Sequence, residues 1–302
     1  MGILLVLFGL LGSSAGLRVL VTGAGGRTGQ LVFSQLKETA GLQPLGLVRS
    51  KKAQKTLVKK AGAADEEIVR GDVTDCETLT DCMAGCDAVV LCTSAVPKIL
   101  PFSIVKVLFK KTILRRKDAG RPKFKFGPGG TPQEVDWLGA KNQIDAAVKS
   151  GVGHFVFISS MGGTQPDNFL NSIGKQPDGS GGDILLWKRK AEKYLKASGL
   201  DYTIIHPGGL VDQPPAEREL LVDVDDALLA LTTRQVPRAD VARVACAAVA
   251  DRTTSAGLSF DLASKPVGEG EATADAKRCF GLLKGRSCKY EDTADPPSLP
   301  EL

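Results

Sequence analysis

Two spacings of apolar residues alternate along the chain. The short, mostly apolar runs LRVLVTG (17–23), PLGLVRS (44–50), EEIVRGD (66–72), CDAVVLCTSA (86–95), GHFVFISSMGG (153–163), DYTIIHPGG (201–209) and GLSFDLAS (257–264) read as strands. Between them, apolar positions recur every three or four residues, the period of a helix with one buried face. In RTGQLVFSQLKE (27–38) that face carries Leu31, Val32 and Leu36. KKAQKTLVKKAG (51–62) is a basic helix, and CETLTDCMAG (76–85) a short one with Thr74 or Asp75 as its cap. EVDWLGAKNQIDAAVKSG (134–151), DILLWKRKAEKYLKASG (183–199) and RADVARVACAAVAD (238–251) complete the helices, the first ended by Gly151. Apolar strands without alternation are buried on both faces, so the sheet is parallel and covered on both sides. Right-handed crossovers make it doubly wound, which predicts one α/β domain.

A length of 302 residues suits one such domain. It spans 17–266. Before it lies an apolar leader at 1–16. After it, residues 267–302 hold a C-terminal helix and the acidic, proline-rich tail EDTADPPSLPEL, which has the composition of a disordered segment. The leader's apolar run is too short to span a bilayer. Ser13, Ser14 and Ala15 suit a cleavage site, but no Lys or Arg precedes Arg18, so a cleaved targeting segment and a retained leader both stay open. Plastid stroma and cytoplasm are the compartments in view.

Charge and cysteines narrow the chemistry. A net charge of +5 is too mild to imply nucleic acid. Seven cysteines, an odd number in a chain this long, read as free thiols in a reducing compartment. Cys82 and Cys86 have a ligand-like spacing, but no second pair follows, so no metal site is predicted.

The first strand runs into Gly23-x-x-Gly26-x-x-Gly29 and then into a helix. Gly23 permits the tight turn, Gly26 lets the backbone approach a pyrophosphate, and Gly29 lets helix and strand pack closely. The helix N-terminus offers N–H groups and a positive dipole end to phosphates. At the end of the second strand an NAD enzyme carries an acid for the ribose 2′-hydroxyl. Here the chain reads Arg49-Ser50-Lys51-Lys52, with Arg27 as a second cation in the turn, so NADP(H) is favoured over NAD(H). Asp72, after the third strand, could accept from the adenine amino group or cap the next helix.

TGAGGRTG, LVRS, GDVTD and SSMGG, in this order, resemble the atypical short-chain dehydrogenase/reductase superfamily of NmrA-like, NAD(P)-binding Rossmann proteins. LCTSAVPK, EVDWLGAKNQIDAA, SSMGGTQPD, WKRKAE and YTIIHPGGL are similar to runs of a plant and algal group within it, and the likeness extends from Leu17 to Pro266. The resemblance implies a single Rossmann domain that binds NADP(H). It implies cofactor roles for Gly23, Gly26, Arg27, Thr28, Gly29, Arg49, Asp72, Val73, Thr93, Ser94, Ala95, Lys188, Pro207 and Gly208. His206 stands where the family carries Arg.

The superfamily's enzymes use Ser, Tyr and Lys, with Tyr-x-x-x-Lys on one helix. Lys188 matches the lysine and Ser159 or Ser160 the serine, but four residues before Lys188 stands Ile184. Tyr194 follows the lysine and cannot fill the role by spacing. Ser160 and Lys188 are therefore the candidate catalytic residues of an oxidoreductase acting on a small carbonyl or quinone-like acceptor. The alternative is a non-catalytic NADPH-binding sensor or scaffold subunit of a membrane complex.

Residues 96–127 form a basic insertion with Ile104, Val105, Leu108, Phe109 and Ile113 at helical spacing. A lid packed on the domain, a contact with an anionic membrane surface and a contact with a protein partner, the last two through 98–117, are its three readings.

Overall fold

The computed structural model describes residues 16–113, 115, 120, 122–176 and 181–291. The leader before Gly16 and the acidic tail beyond Glu291 lie outside them. The chain begins with the alternating run β1 (Leu17–Thr22), α1 (Gly29–Glu38), β2 (Leu42–Val48), α2 (Lys51–Ala61), β3 (Ile68–Arg70), α3 (Cys76–Met83) and β4 (Ala88–Leu91). The insertion follows as β5 (Lys98–Ile99), α4 (Pro101–Thr112) and β6 (Phe124–Lys125). A π-helical stretch, Gln133–Gly139, leads into α5 (Ala140–Lys149) and β7 (His154–Ile158). Then come α6 (Phe169–Ser172), α7 (Ile184–Ala197), β8 (Asp201–Pro207), β9 (Gly209–Val211), β10 (Leu220–Asp223) and β11 (Gln235–Pro237). The described chain closes with α8 (Arg238–Ala250), α9 (Arg252–Ser255), β12 (Leu258–Ser264) and α10 (Arg278–Leu282).

Eight strands form the main sheet in the order β10-β12-β8-β7-β4-β1-β2-β3. All its pairings are parallel except β10 with β12 at one edge. The α/β doubly wound single domain expected from the apolar runs is what forms. Within each run the pleat sends alternate residues to opposite faces. Val19 and Val21 join α1, α2 and α8 through Val32, Phe33, Leu57 and Val241. Leu20, between them, joins α3, α5 and α7 through Leu79, Ile144 and Leu195. Burial on both faces explains why these strands read as unbroken apolar runs.

Several boundaries differ from the sequence reading. Residues 92–95 and 159–163 lie beyond the strand ends at the carboxyl edge, although Cys92 N still donates to Thr22 O, Ser159 N to Ile205 O and Met161 N to Pro207 O. The antiparallel strand β10 was not foreseen. Asp75, not Thr74 or Asp72, caps α3, its Oδ1 accepting from Glu77 N at 3.1 Å and Thr78 N at 3.2 Å. The segment after 266 is more than a helix and a tail. Cys279, Phe280 and Leu283 are buried in the core, and Cys288 N donates to Ser259 O at 2.8 Å, binding this segment to β12. No described helix is long and apolar enough to cross a membrane.

Candidate cofactor and active site

The strand order reverses between β1 and β4, and in such sheets ligands enter the crevice beyond the carboxyl ends at that point. The glycine turn leaves β1 there, and Thr93, Ser94 and Ala95 leave β4 beside it. Gly23 has φ +66°, and a Cβ on it would lie 3.0 Å from Cys92 O. A Cβ on Gly29, the first residue of α1, would collide with the Gly23 carbonyl and lie 2.9 Å from Ala24 Cα. Gly25, which the sequence reading did not single out, is equally confined, its Cβ falling 2.6 Å from Ala53 Cβ on α2. Gly26 N closes the turn on Gly23 O at 2.8 Å, and the Thr28 carbonyl accepts the first helical bonds. Backbone atoms cannot step aside as a flexible side chain can. Gly29→Ala is therefore expected to lower the melting temperature by at least about 4 °C and to weaken dinucleotide binding more than Gly281→Ala on α10, where a Cβ meets open space. Thermal melts with and without dinucleotide check both.

The two candidate cations have different acidic partners. Arg49 Nε lies 3.9 Å from Asp72 Oδ2, with the Arg49 side chain 64% exposed. Asp72 Oδ1 also accepts from Thr74 N and Oγ1, at 3.1 and 3.0 Å, so this acid shapes the loop after β3. Val73 packs on Gly139 and offers its carbonyl to Asn142 Nδ2 at 3.2 Å. Arg27 is ion-paired with Asp212, which Arg238 Nη1 also holds, at 2.6 Å. Ser50 caps α2 by accepting from Ala53 N at 3.2 Å, which leaves Arg49 as the residue that projects at the end of β2.

Across the crevice, Lys188 Nζ lies 2.8 Å from Asp136 Oδ1, both side chains buried. Asp136 Oδ2 accepts from Ala95 N at 3.0 Å, so one carboxylate joins α7 to the turn after β4. The continuous helix expected over 134–151 is π-helical through Gly139, and Asp136 sits inside that stretch. Such bulges recur at functional sites. Thr131 and Glu134 open the stretch as a capping box, Thr131 N donating to Glu134 Oε2 at 2.9 Å and Glu134 N to Thr131 Oγ1 at 3.2 Å. Thr93 Oγ1 accepts from Gln143 Nε2 at 3.3 Å, and Ser94 is exposed. Half-buried Ser160 donates from Oγ to Met161 O at 3.2 Å. Pro207 ends β8, and Gly208 has no room for a Cβ against the Arg234 carbonyl.

None of the three tyrosines takes the missing place before Lys188. Tyr194 donates to Asp145 Oδ1 at 2.6 Å and sets its ring edge-on to Trp137. Tyr202 lies near the start of β8. Tyr290 reaches Glu192.

That contact belongs to a buried charged network behind the crevice. Although Glu192 lies one helical turn beyond Lys188, its partners are others. It accepts from Arg189 Nη1 at 3.1 Å, His206 Nε2 at 3.0 Å, Tyr290 OH at 2.9 Å and Ser159 Oγ. Burial alone would raise the Glu192 carboxyl, but the His206 and Arg189 charges and its hydrogen bonds hold it at about 2. Burial alone would depress His206. The Glu192 charge, with Asp261 Oδ1 at 3.4 Å from Nδ1, holds it well above the ordinary value instead. His206 is thus a cation between two acids, the charge that the family's Arg would bring. Burial and the Glu192 charge keep the Tyr290 phenol protonated as a donor. Asp136, Asp261, Cys288 and Tyr290 escaped sequence reasoning. The one available signal was an acid inside the apolar run VDWL. Among the described residues His206, Asp261 and Cys288 are the one His/Cys/acid group close enough for a metal, but the imidazole already bonds Glu192 on one nitrogen and faces Asp261 on the other.

Residues 23–252 match the NAD(P)H-binding family. The chain is 43% identical over 278 residues to sanguinarine reductase of Eschscholzia californica, covering 90% of this chain and 97% of that protein. It is 45% identical over 266 residues to an uncharacterized chloroplastic protein of Arabidopsis thaliana, covering 87% of this chain and 74% of the relative. Among solved structures, a Bacillus halodurans protein provisionally named an NAD-dependent epimerase/dehydratase superposes with a TM-score of 0.65 at 26% identity, over 89% of this chain and all of that one. A short-chain dehydrogenase/reductase from Veillonella parvula, in complex with NADP, shares the fold at TM-score 0.56 and 13% identity, over 85% of this chain and 99% of that one.

Proposed function

The chain belongs to the NAD(P)H-binding family, and from that premise we propose that it is an NADPH-dependent reductase of a small carbonyl or quinone-like acceptor. The observation that carries the reading is the Lys188 ammonium, fixed by Asp136 at the carboxyl edge of the sheet across from the glycine turn. The likeness to sanguinarine reductase along nearly all of that protein supports it. The chloroplastic relative supports a plastid setting.

The donor set fits the cofactor. The turn brings backbone N–H groups and the α1 dipole to a pyrophosphate position, and the exposed Arg49 guanidinium suits a 2′-phosphate with no acid among residues 49–52 to repel it. Arg27 is a second cation within the turn, although Asp212 competes for it. When bound, the dinucleotide supplies the hydride. Lys188, with three ammonium protons and Asp136 as its acid, donates to ribose hydroxyls and keeps positive charge near the oxygen that becomes anionic. Ser160 Oγ, or water held by it, delivers the proton to that oxygen.

A second reading has its own observation. Ile184 stands at the tyrosine position and Tyr194 bonds Asp145 instead, which suits a non-catalytic NADPH sensor or scaffold. Loss of nicotinamide absorbance across a carbonyl and quinone panel separates the two. Stoichiometric NADPH binding without oxidation by any acceptor would sink the reductase. For cofactor choice, Arg49→Ala is expected to weaken NADPH binding about 10- to 100-fold, the scale of a charge-assisted phosphate contact, and to leave NADH unchanged. Equal weakening of both, by fluorescence titration, would refute the 2′-phosphate role.

A further inference from the structure

Seven of the large apolar side chains exposed in the described structure fall within eighteen residues: Val96, Ile99, Phe102, Val105, Leu108, Phe109 and Ile113. Phe102 is 85% exposed. None of the described side chains of α4 is buried, which disfavours a lid packed on the domain, one of the three readings of this insertion. At 100° per residue Phe102, Val105, Phe109 and Ile113 share one face of a helix about 18 Å long. The base of the helix is built, not loose. Ile99 pairs with Phe124 and Lys98 with Lys125 in the β5–β6 ladder. Leu100 N donates to Lys123 O at 2.9 Å, and Ser103 Oγ accepts from Lys123 N at 2.9 Å.

The charge around this stripe is one-sided. Residues 96–127 hold ten Lys and Arg and one acid, Asp118; the rest of the chain holds 29 cations against 33 acids. The rest of the chain is therefore weakly acidic and the insertion strongly basic. Lys98, Lys123 and Lys125 are exposed at the base of the helix and Arg115 just beyond its end, while exposed Lys111 projects on the side opposite the apolar face. An apolar stripe set among cations, on a helix too short to span a bilayer, matches the chemistry of a surface that is apolar within and anionic at its rim.

We propose that α4 and its flanking hairpin dock the protein on the surface of an anionic lipid bilayer, the apolar face entering the acyl boundary and the lysines at the base of the helix, with Arg115 beyond its end, meeting the headgroups. The docking stands apart from the reductase reading, because it needs neither cofactor nor turnover. Since the insertion leaves the sheet directly after β4, docking would bring the crevice close to the lipid and to any acceptor dissolved in it.

Sedimentation of the full chain with vesicles tests this, using phosphatidylcholine alone and phosphatidylcholine mixed equally with phosphatidylglycerol. Binding is expected to the anionic vesicles, to be weak on neutral ones, and to fall as salt is raised. Phe102→Ser/Phe109→Ser and Lys98→Glu/Arg115→Glu should each lower the partition at least about tenfold while melting temperature and NADPH affinity stay unchanged. The variants leave residues 1–15 intact, so binding that survives both belongs to the leader and overturns the proposal. It is equally overturned if the wild-type chain ignores anionic vesicles, or if it self-associates through this face without binding lipid.

Discussion

Glu192→Ala is expected to lower the free energy of unfolding by about 3–5 kcal/mol, the range for stripping one member from a buried ionic cluster. Glu192 is 1% exposed and holds Arg189, His206, Tyr290 and Ser159 at once. Its removal leaves the buried Arg189 charge without this acid and takes from His206 the charge that holds it protonated. Urea unfolding of wild type, Glu192→Ala and Glu192→Gln gives the comparison, with Gln intermediate because it keeps hydrogen bonds and loses charge. A loss below about 1 kcal/mol, typical of exposed ion pairs, would mean that water screens the network. The pH dependence has a definite sign. Glu192 is depressed from 4.5 to about 2, so its contribution is present above 4.5 and lost as pH falls towards 2. His206 is raised, so its contribution is complete below 6.5 and lost as pH rises through its folded value. Stability should therefore decline on the alkaline side, where a network built on Arg would hold. His206→Arg is the direct comparison.

Lys188→Met is expected to lower kcat/KM for NADPH-linked reduction at least about hundredfold, as loss of a fixed cation beside a developing oxyanion does. It also leaves Asp136 buried without its cation, so stability falls too. Lys188→Met/Asp136→Asn separates the two effects. Asn can still accept from Ala95 N, and no charge is left unpaired, so stability should recover while activity does not. Activity returning with stability would make Lys188 a structural residue and favour the sensor reading.

The strands were legible because both faces of the sheet are covered, which makes Val19, Leu20 and Val21 all apolar. The glycine turn was legible because strand, glycine spacing and helix follow within a few residues. What could not be read depends on distant residues meeting. Tyr290 and Glu192 are 98 positions apart, and no periodicity announces their contact. Asp136 was hidden for another reason: a π-helical stretch breaks the 3.6-residue period, so its face could not be projected from its neighbours. The edge strand β10, only four residues long and three of them half-buried, carries too short a pattern to stand out from loop.

Asp136 has one more consequence. A single carboxylate grips the backbone at Ala95, the root of the basic insertion, and the ammonium of Lys188 at the crevice. A ligand that draws on Lys188 and a surface that pulls on the insertion act on the same group. To the extent that both move it, linkage obliges each to change the other's affinity by one common factor. Cofactor titrations with and without vesicles, and vesicle titrations with and without cofactor, would read that factor from its two sides.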